Sequence, residues 1–388
     1  MTAVPYGRDV AVGTRRERRS ILGYLRHVDF VLVGAALVLS LIGVVMVYTA
    51  TRSALLQAGL SPHYYVERQL IWVVVGIIVM VAVTAIDYRR FDDVAYLAYG
   101  LVLLSLVGVF VIGHSQYGSQ RWYQFGPLQL QPSEFAALGL ILAIAAYCHR
   151  RQGVLSFRQM LGLFGLSALP MLLVYKQPDL GTTIILAVVM TAMLAAGEVR
   201  LRYLLLLGVG GVVAFVLALN LHLLHGYQLQ RLTGFLHQNQ YCASTNYDLC
   251  MSRDAISSGG LRGTGLFRGV ATNLSLVPNQ QNDFIFSALG EQLGFIGSAV
   301  VIGLYGLVCL RMLRAAQRAR DSFGRLICAG ALAFFAFSAF ENIAMTIGLM
   351  PITGIPLPFI SYGGSASFAF FATIGLVLSV GMRRVARR

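Results

Sequence analysis

Charge is what this 388-residue chain has least of: Asp, Glu, Lys and Arg make up 12% of it, whereas 57% is hydrophobic. About a quarter of a typical soluble domain is charged, so composition excludes an ordinary soluble protein. Lysine is nearly absent, with Lys176 the sole example and no glycine run before it. A Walker-type phosphate loop needs a lysine after its glycines, which excludes a single-chain ATP-driven pump. His-Glu-x-x-His and Gly-x-Ser-x-Gly are missing too, and Gly263-x-Gly265-x-x-x-Gly269 misses the dinucleotide spacing by one residue. The five cysteines have no zinc-type spacing. His222, His225 and His237 share one loop, where solvation explains them better than a metal does. No basic face is interleaved with aromatics, so the net charge of +14 does not indicate nucleic-acid binding.

What is present is a series of uncharged apolar runs, each long enough to cross a bilayer. They predict an all-α membrane protein of ten transmembrane helices, at 28–50, 69–86, 94–113, 133–149, 159–175, 180–197, 203–222, 284–310, 326–349 and 362–382. Ten spans put both termini on one side. That side carries 22 of the 30 Lys and Arg residues, which by the positive-inside rule makes it cytoplasmic. The remaining excess charge favours contact with anionic membrane lipid. Residues 1–27 and 383–388 are then cytoplasmic segments flanking one membrane domain, 28–382, in the cytoplasmic membrane. The uncharged run from Phe30 to Ala50 exceeds a signal-peptide core and reads as a retained first helix.

Between the seventh and eighth predicted helices lies a large extracytoplasmic loop, 222–283. Connections of this length are usually functional or disordered. Here Leu229, Leu232 and Leu236 share a helical face, predicting a short interfacial helix. The glycine-rich tract from Gly259 to Gly265 reads first as a set of turns, with close backbone approach to a ligand as the alternative. Cys242 and Cys250, eight positions apart in this loop, are candidates for a disulfide, the alternative being two free thiols. Cys148, Cys309 and Cys328 fall at cytoplasmic ends, where thiols stay reduced.

The chemistry points to carboxylates at the membrane edge, where polar groups are costly and tend to mark sites. Asp283 is the only charged residue between Arg268 and Glu291, and Phe284-Ile285-Phe286 follows it at once. Poor solvation there raises a carboxyl pKa towards the range of a general base; the alternative is an N-cap of the eighth helix. Glu134 follows Pro132-Ser133 and is either a ligand-binding group or a first-turn acid with Ser133 as cap. Asp179 reads as a cap, and Glu341, beside Asn342, as a polar contact between helices.

Five segments in order carry a resemblance: Gly118-Ser119-Gln120-Arg121-Trp122, Gln131-Pro132-Ser133-Glu134-Phe135, Gln177-Pro178-Asp179-Leu180-Gly181-Thr182, Asp283-Phe284-Ile285-Phe286, and Gly354 to Ser365, read GIPLPFISYGGS. Over nearly its whole length the chain resembles the SEDS family of bacterial cell-wall proteins, the RodA, FtsW and SpoVE group. Its pattern is nearer the RodA type, the actinobacterial members in particular. The resemblance implies a peptidoglycan glycosyltransferase that polymerises lipid II during cell-wall elongation and shape maintenance, with Asp283 as the essential carboxylate. It also implies a class B penicillin-binding protein as partner. Glu134, Arg121, Lys176, Arg262, Arg268, Ser361 and Gly363 are the candidate substrate-binding residues; no metal site is assigned, although a divalent cation can share the neutralisation of a pyrophosphate. The family pattern is broken at Ala137, where a lysine is usual, at Asn282 for threonine, at Asn279 after Pro278 for glutamate, and at Gln292 after Glu291 for a second glutamate. Three of these remove a charge. A lipid II flippase and a weakly active or non-catalytic scaffold for a penicillin-binding protein are the alternative readings.

Overall fold

The computed structural model describes residues 27–383 apart from 117–118, 126–127, 152–155, 198, 200, 221–225, 239–241 and 243–245. The first part of the chain forms helices α1 (Phe30–Gln57), α2 (Tyr64–Ala85), α3 (Arg90–Ile112), α4 (Ser133–His149), α5 (Phe157–Lys176), α6 (Leu180–Ala196) and α7 (Leu201–Asn220). Three shorter helices follow, α8 (Gly226–Leu236), α9 (Tyr247–Ser258) and α10 (Val270–Asn273), and then α11 (Ile285–Gln317), α12 (Ser322–Thr346) and α13 (Gly364–Met382). Among the described residues, seven helices (α1, α2, α3, α5, α11, α12 and α13) are long and apolar enough to cross a membrane. Helices α4 and α6 are apolar but only 17 residues long, and in α7 the apolar stretch is Arg202–Gly211.

The most enclosed helices are α4, α12 and α13. Ala136, Ala137, Ala143, Ala145 and Ala146 of α4 are all buried, and their small side chains let α3, α6 and α12 approach closely. Phe334 of α12 stacks on Phe370 of α13, ring centroids 4.9 Å apart. Outer helices turn aliphatic side chains outward: Leu104 and Val111 of α3 are exposed, as lipid-facing residues are.

The segment between α3 and α4 departs from an all-helical reading. It forms a three-stranded antiparallel sheet of β1 (His114–Gln116), β2 (Ser119–Phe125) and β3 (Leu128–Leu130), with Tyr123 paired to Leu130 and Gln124 to Gln129. Trp122, Tyr123 and Phe125 favour extended backbone, but strands this short leave little alternation to read in a sequence.

Helix α11 is broken at Gly294, whose φ of 64° and ψ of −165° are not helical. The break lets the glycine tract dock on the helix. Thr264 and Gly265 donate their N–H groups to the carbonyls of Glu291 and Gln292, while Phe295 and Ile296 donate to those of Gly260 and Leu261. A Cβ on Gly263 would lie 2.1 Å from the Gln292 carbonyl oxygen. Close approach of two backbones, not of a ligand, is what these glycines permit. The stretch Ile285–Gln292 ahead of the break is fully buried beneath α9 and α10, whereas Phe295 and Ile296 beyond it are exposed.

The end of the bundle opposite this docked tract is rich in ion pairs. Arg311 binds Asp29 at 2.7 Å, and Arg89, Arg150 and Arg383 lie 3.4–3.5 Å from Asp321, Asp92 and Asp87. Asp29 and Asp321 also cap α1 and α12, so the same carboxylates end helices and tie them together.

Candidate active site

Asp283 stands at the junction of the docked tract and α11. The residue at the N-cap position of α11 is Phe284, and it makes no side-chain cap bond, so Asp283 does not spend its carboxylate on capping the helix. Its backbone is held instead. Asn342 of α12 donates from Nδ2 to the Asp283 carbonyl at 2.8 Å and to the Ile355 carbonyl at 2.7 Å. Ser361 Oγ donates to the Asn282 carbonyl at 2.6 Å and accepts from Leu357 N–H at 2.8 Å, while Tyr362 N–H donates to the Gln281 carbonyl at 2.9 Å. Candidate Ser361 thus holds the chain just ahead of Asp283, and candidate Gly363, in extended conformation, precedes α13 as its N-cap.

Among the described residues nothing hydrogen-bonds to the Asp283 carboxylate, although it is only partly exposed. Other acids of the site are engaged. Asp179 caps α6 through Thr182 N–H at 3.1 Å and also accepts from the hydroxyls of Thr182 and Ser133 and from Gln131. Glu291 accepts from Ala271 N–H (2.7 Å), Thr272 N–H (2.9 Å) and the Thr272 hydroxyl (2.5 Å), which ties α10 to α11. Glu341 accepts from the Thr353 hydroxyl. Its contact is therefore with the segment after α12, not with a neighbouring helix.

Burial pushes the Asp283 carboxyl from an ordinary 3.8 up to about 6. Arg231 opposes this shift, Asp179 adds to it, Arg121 opposes it and Asp248 adds to it. A carboxyl in this range is mostly ionised at neutral pH yet binds a proton more readily than a solvated one, which suits general-base work.

Of the other candidates, Glu134 and Arg121 share the neighbourhood of Asp283: each is among the charges felt within the cluster. Arg121 on β2 donates from Nε to the Gln177 carbonyl at 2.7 Å and from Nη2 to that of Pro178, so two backbone oxygens fix its charge. Glu134, in the first turn of α4, makes no side-chain hydrogen bond among the described residues. Ser133 is the first helical residue and donates to Asp179 rather than capping α4. Lys176, Arg262 and Arg268 are exposed, and none is among the leading charges on Asp283. Arg231 is the residue that sequence reasoning passed over. It lies on α8, donates to the Ile352 carbonyl at 3.2 Å, and is the strongest charge acting on Asp283. The signal available was its place on the short amphipathic helix, but no sequence rule brings α8 to residue 352.

Cys242 and Cys250 are joined by a disulfide, with Cα atoms 5.7 Å apart. Among the described residues, no group of three or more His, Cys, Asp or Glu side chains is arranged to hold a metal ion.

The profile of a family described as cell cycle proteins, comprising FtsW, RodA and SpoVE, matches residues 29–385. The chain belongs to this family. It is 35% identical over 320 residues to the peptidoglycan glycosyltransferase MrdB of Escherichia coli K12, covering 82% of this chain and 86% of that one. Among solved structures it is similar to the rod shape determining protein RodA of Thermus thermophilus, with a TM-score of 0.69, 28% identity, and coverage of 93% of this chain and 98% of that one. A chain from a structure described as a peptidoglycan synthase complex that coordinates polymerization and crosslinking aligns with a TM-score of 0.75, 28% identity, and coverage of 92% and 98%. A multi-pass membrane protein with a mostly helical, RodA-like fold follows from the family and these alignments.

Proposed function

We propose that this chain is a peptidoglycan glycosyltransferase that polymerises lipid II at the outer face of the cytoplasmic membrane, with Asp283 as general base. The observation that carries the reading is the state of that carboxylate: partly buried, raised towards neutrality, and without a hydrogen bond among the described residues, while Asp179 and Glu291 are fully engaged. An acid left unpartnered at such a place is available to a ligand. The relatives' activity and the SEDS motifs around Asp283 supply the reaction.

In this reaction the base removes the proton of the acceptor sugar's 4-hydroxyl as that oxygen bonds to the donor's anomeric carbon. The bond from that carbon to the polyprenyl pyrophosphate breaks, and the leaving group departs with the electron pair. Its charge calls for cations in a water-poor setting. Arg121 and Arg231 are the cations nearest in effect to Asp283 and take that role first; the exposed Lys176, Arg262 and Arg268 meet headgroups or the rest of the substrate in this reading. Glu134, which also makes no side-chain hydrogen bond among the described residues, orients a sugar hydroxyl.

The reading includes ten spans, both termini cytoplasmic, and residues 222–283 as an extracytoplasmic loop that carries α8, α9 and α10 to the site. A short helix spans a thinner or locally pinched bilayer at modest cost, so α4 and α6 still count as crossings. A class B penicillin-binding protein is the proposed crosslinking partner. The deciding experiment supplies lipid II to the purified chain with that partner and looks for glycan strands, with a parallel liposome assay of lipid II translocation. Glycan strands support the polymerase. Translocation without polymer supports the flippase, and neither supports the scaffold.

A further inference from the structure

At the end of the bundle away from Asp283, a cavity of about 120 Å³ opens where α1 begins and α11 and α13 end. Its polar rim is made by Asp29, Arg311, Arg314 and Arg318, and its inner wall by Leu32, Val377 and Leu378. At this end Arg89, Arg150, Arg311 and Arg383 each face an aspartate. Arg314 and Arg318 are exposed and have no acidic partner among the described residues. Arg311 and Arg314 lie in the last turns of α11 and Arg318 is its C-cap, and all three line the cavity. Gly381 leaves the α13 side open, with nothing within 4 Å of where a Cβ would stand.

We propose that this cavity is a binding site for the phosphate of one anionic phospholipid in the adjacent leaflet. Two guanidinium groups without acidic partners among the described residues provide charge-assisted donors for phosphate oxygens. Asp29 neutralises and fixes Arg311, which makes the site a shaped one and not a diffuse basic rim. The wall of Leu32, Val377 and Leu378 offers apolar contact to the glycerol and upper acyl carbons. Diffuse attraction of basic residues to a negative surface would need none of this. The inference does not depend on the glycosyltransferase reading, since the site lies at the far end of α1, α11 and α13.

The test uses the full chain, purified in detergent, stripped of lipid, and exposed to phosphatidylglycerol or phosphatidylcholine before native mass spectrometry. The expected result is retention of one phosphatidylglycerol in preference to phosphatidylcholine. Retention should weaken about tenfold or more in Arg314→Gln/Arg318→Gln, since each basic residue contributes appreciably to anionic-lipid affinity. Gly381→Leu, which fills the cavity without changing charge, should also weaken it. Both variants leave the Asp29–Arg311 pair in place, and an unchanged Tm checks their fold. Equal retention of the two lipids, or wild-type retention by both variants, would overturn the proposal. So would full displacement of the lipid by millimolar inorganic phosphate, which would point to a soluble anion.

Discussion

Gly354 leaves room for Asp283: a Cβ at position 354 would stand 3.3 Å from Asp283 Oδ2, and Gly354 has a φ of +78°. Both the space and the backbone conformation call for glycine, so one residue of the GIPLPFISYGGS segment shapes the wall against which the proposed base rests. Gly354→Ala should therefore cost about 1 kcal/mol of stability from the left-handed backbone alone. It should also reduce polymerisation by displacing the carboxylate. A melting curve and a glycan-strand assay on the same preparation check the two effects.

The pH dependence follows from the raised carboxyl. Activity should fall as pH drops through about 6, where Asp283 gains a proton. Arg231 pulls this value down, so Arg231→Gln should move the acid limb of the rate profile to higher pH. A limb that stays in place in Arg231→Gln would contradict the assigned electrostatics. The same shift has a stability sign. With its folded value raised above 3.8, the protonated carboxyl contributes stability that is full below about pH 4 and is lost as pH rises through about 6. Asp283→Asn should consequently melt no lower than wild type at pH 8, and the difference should shrink at pH 4.

Glu291→Gln tests the docking of the loop. The carboxylate gathers three donors from Ala271 and Thr272. A carboxamide offers one oxygen acceptor and places an N–H₂ against a donor, which costs about 1–3 kcal/mol when buried. Faster amide exchange in 259–273, measured by mass spectrometry, is the expected signature.

The Cys242–Cys250 disulfide predicts that neither thiol reacts with a maleimide until reductant is added, whereas Cys148 and Cys309, both partly exposed, react once detergent gives access. Cys242→Ser should lower stability by about 2 kcal/mol, the low end for a short closed loop.

Much of this architecture was legible in the residues. Apolar runs marked the long helices because lipid-facing helices need continuous hydrophobic length, and α6 begins at Leu180, next to the aspartate that caps it. Asp283 was conspicuous as a lone charge before Phe-Ile-Phe. Helix ends were less visible: α1 continues to Gln57, past Arg52, because Ser53 and Ala50 make polar contacts to Asn273 and Gln280 that only the folded loop supplies. The break at Gly294 was hidden for the same reason, since it exists to receive a tract some thirty residues upstream. Arg231 escaped because it acts on Asp283 from α8, which is held in place by a contact with Ile352 far along the chain.

The most direct test compares glycan strands made from lipid II by the wild-type chain and by Asp283→Asn, each purified with its penicillin-binding protein partner. Asn keeps the shape and removes the proton acceptor. The account predicts strands from the wild type and a loss of at least about a hundredfold in the variant, the scale of general-base catalysis, with the melting temperature preserved. Polymer made equally well by both proteins would contradict it.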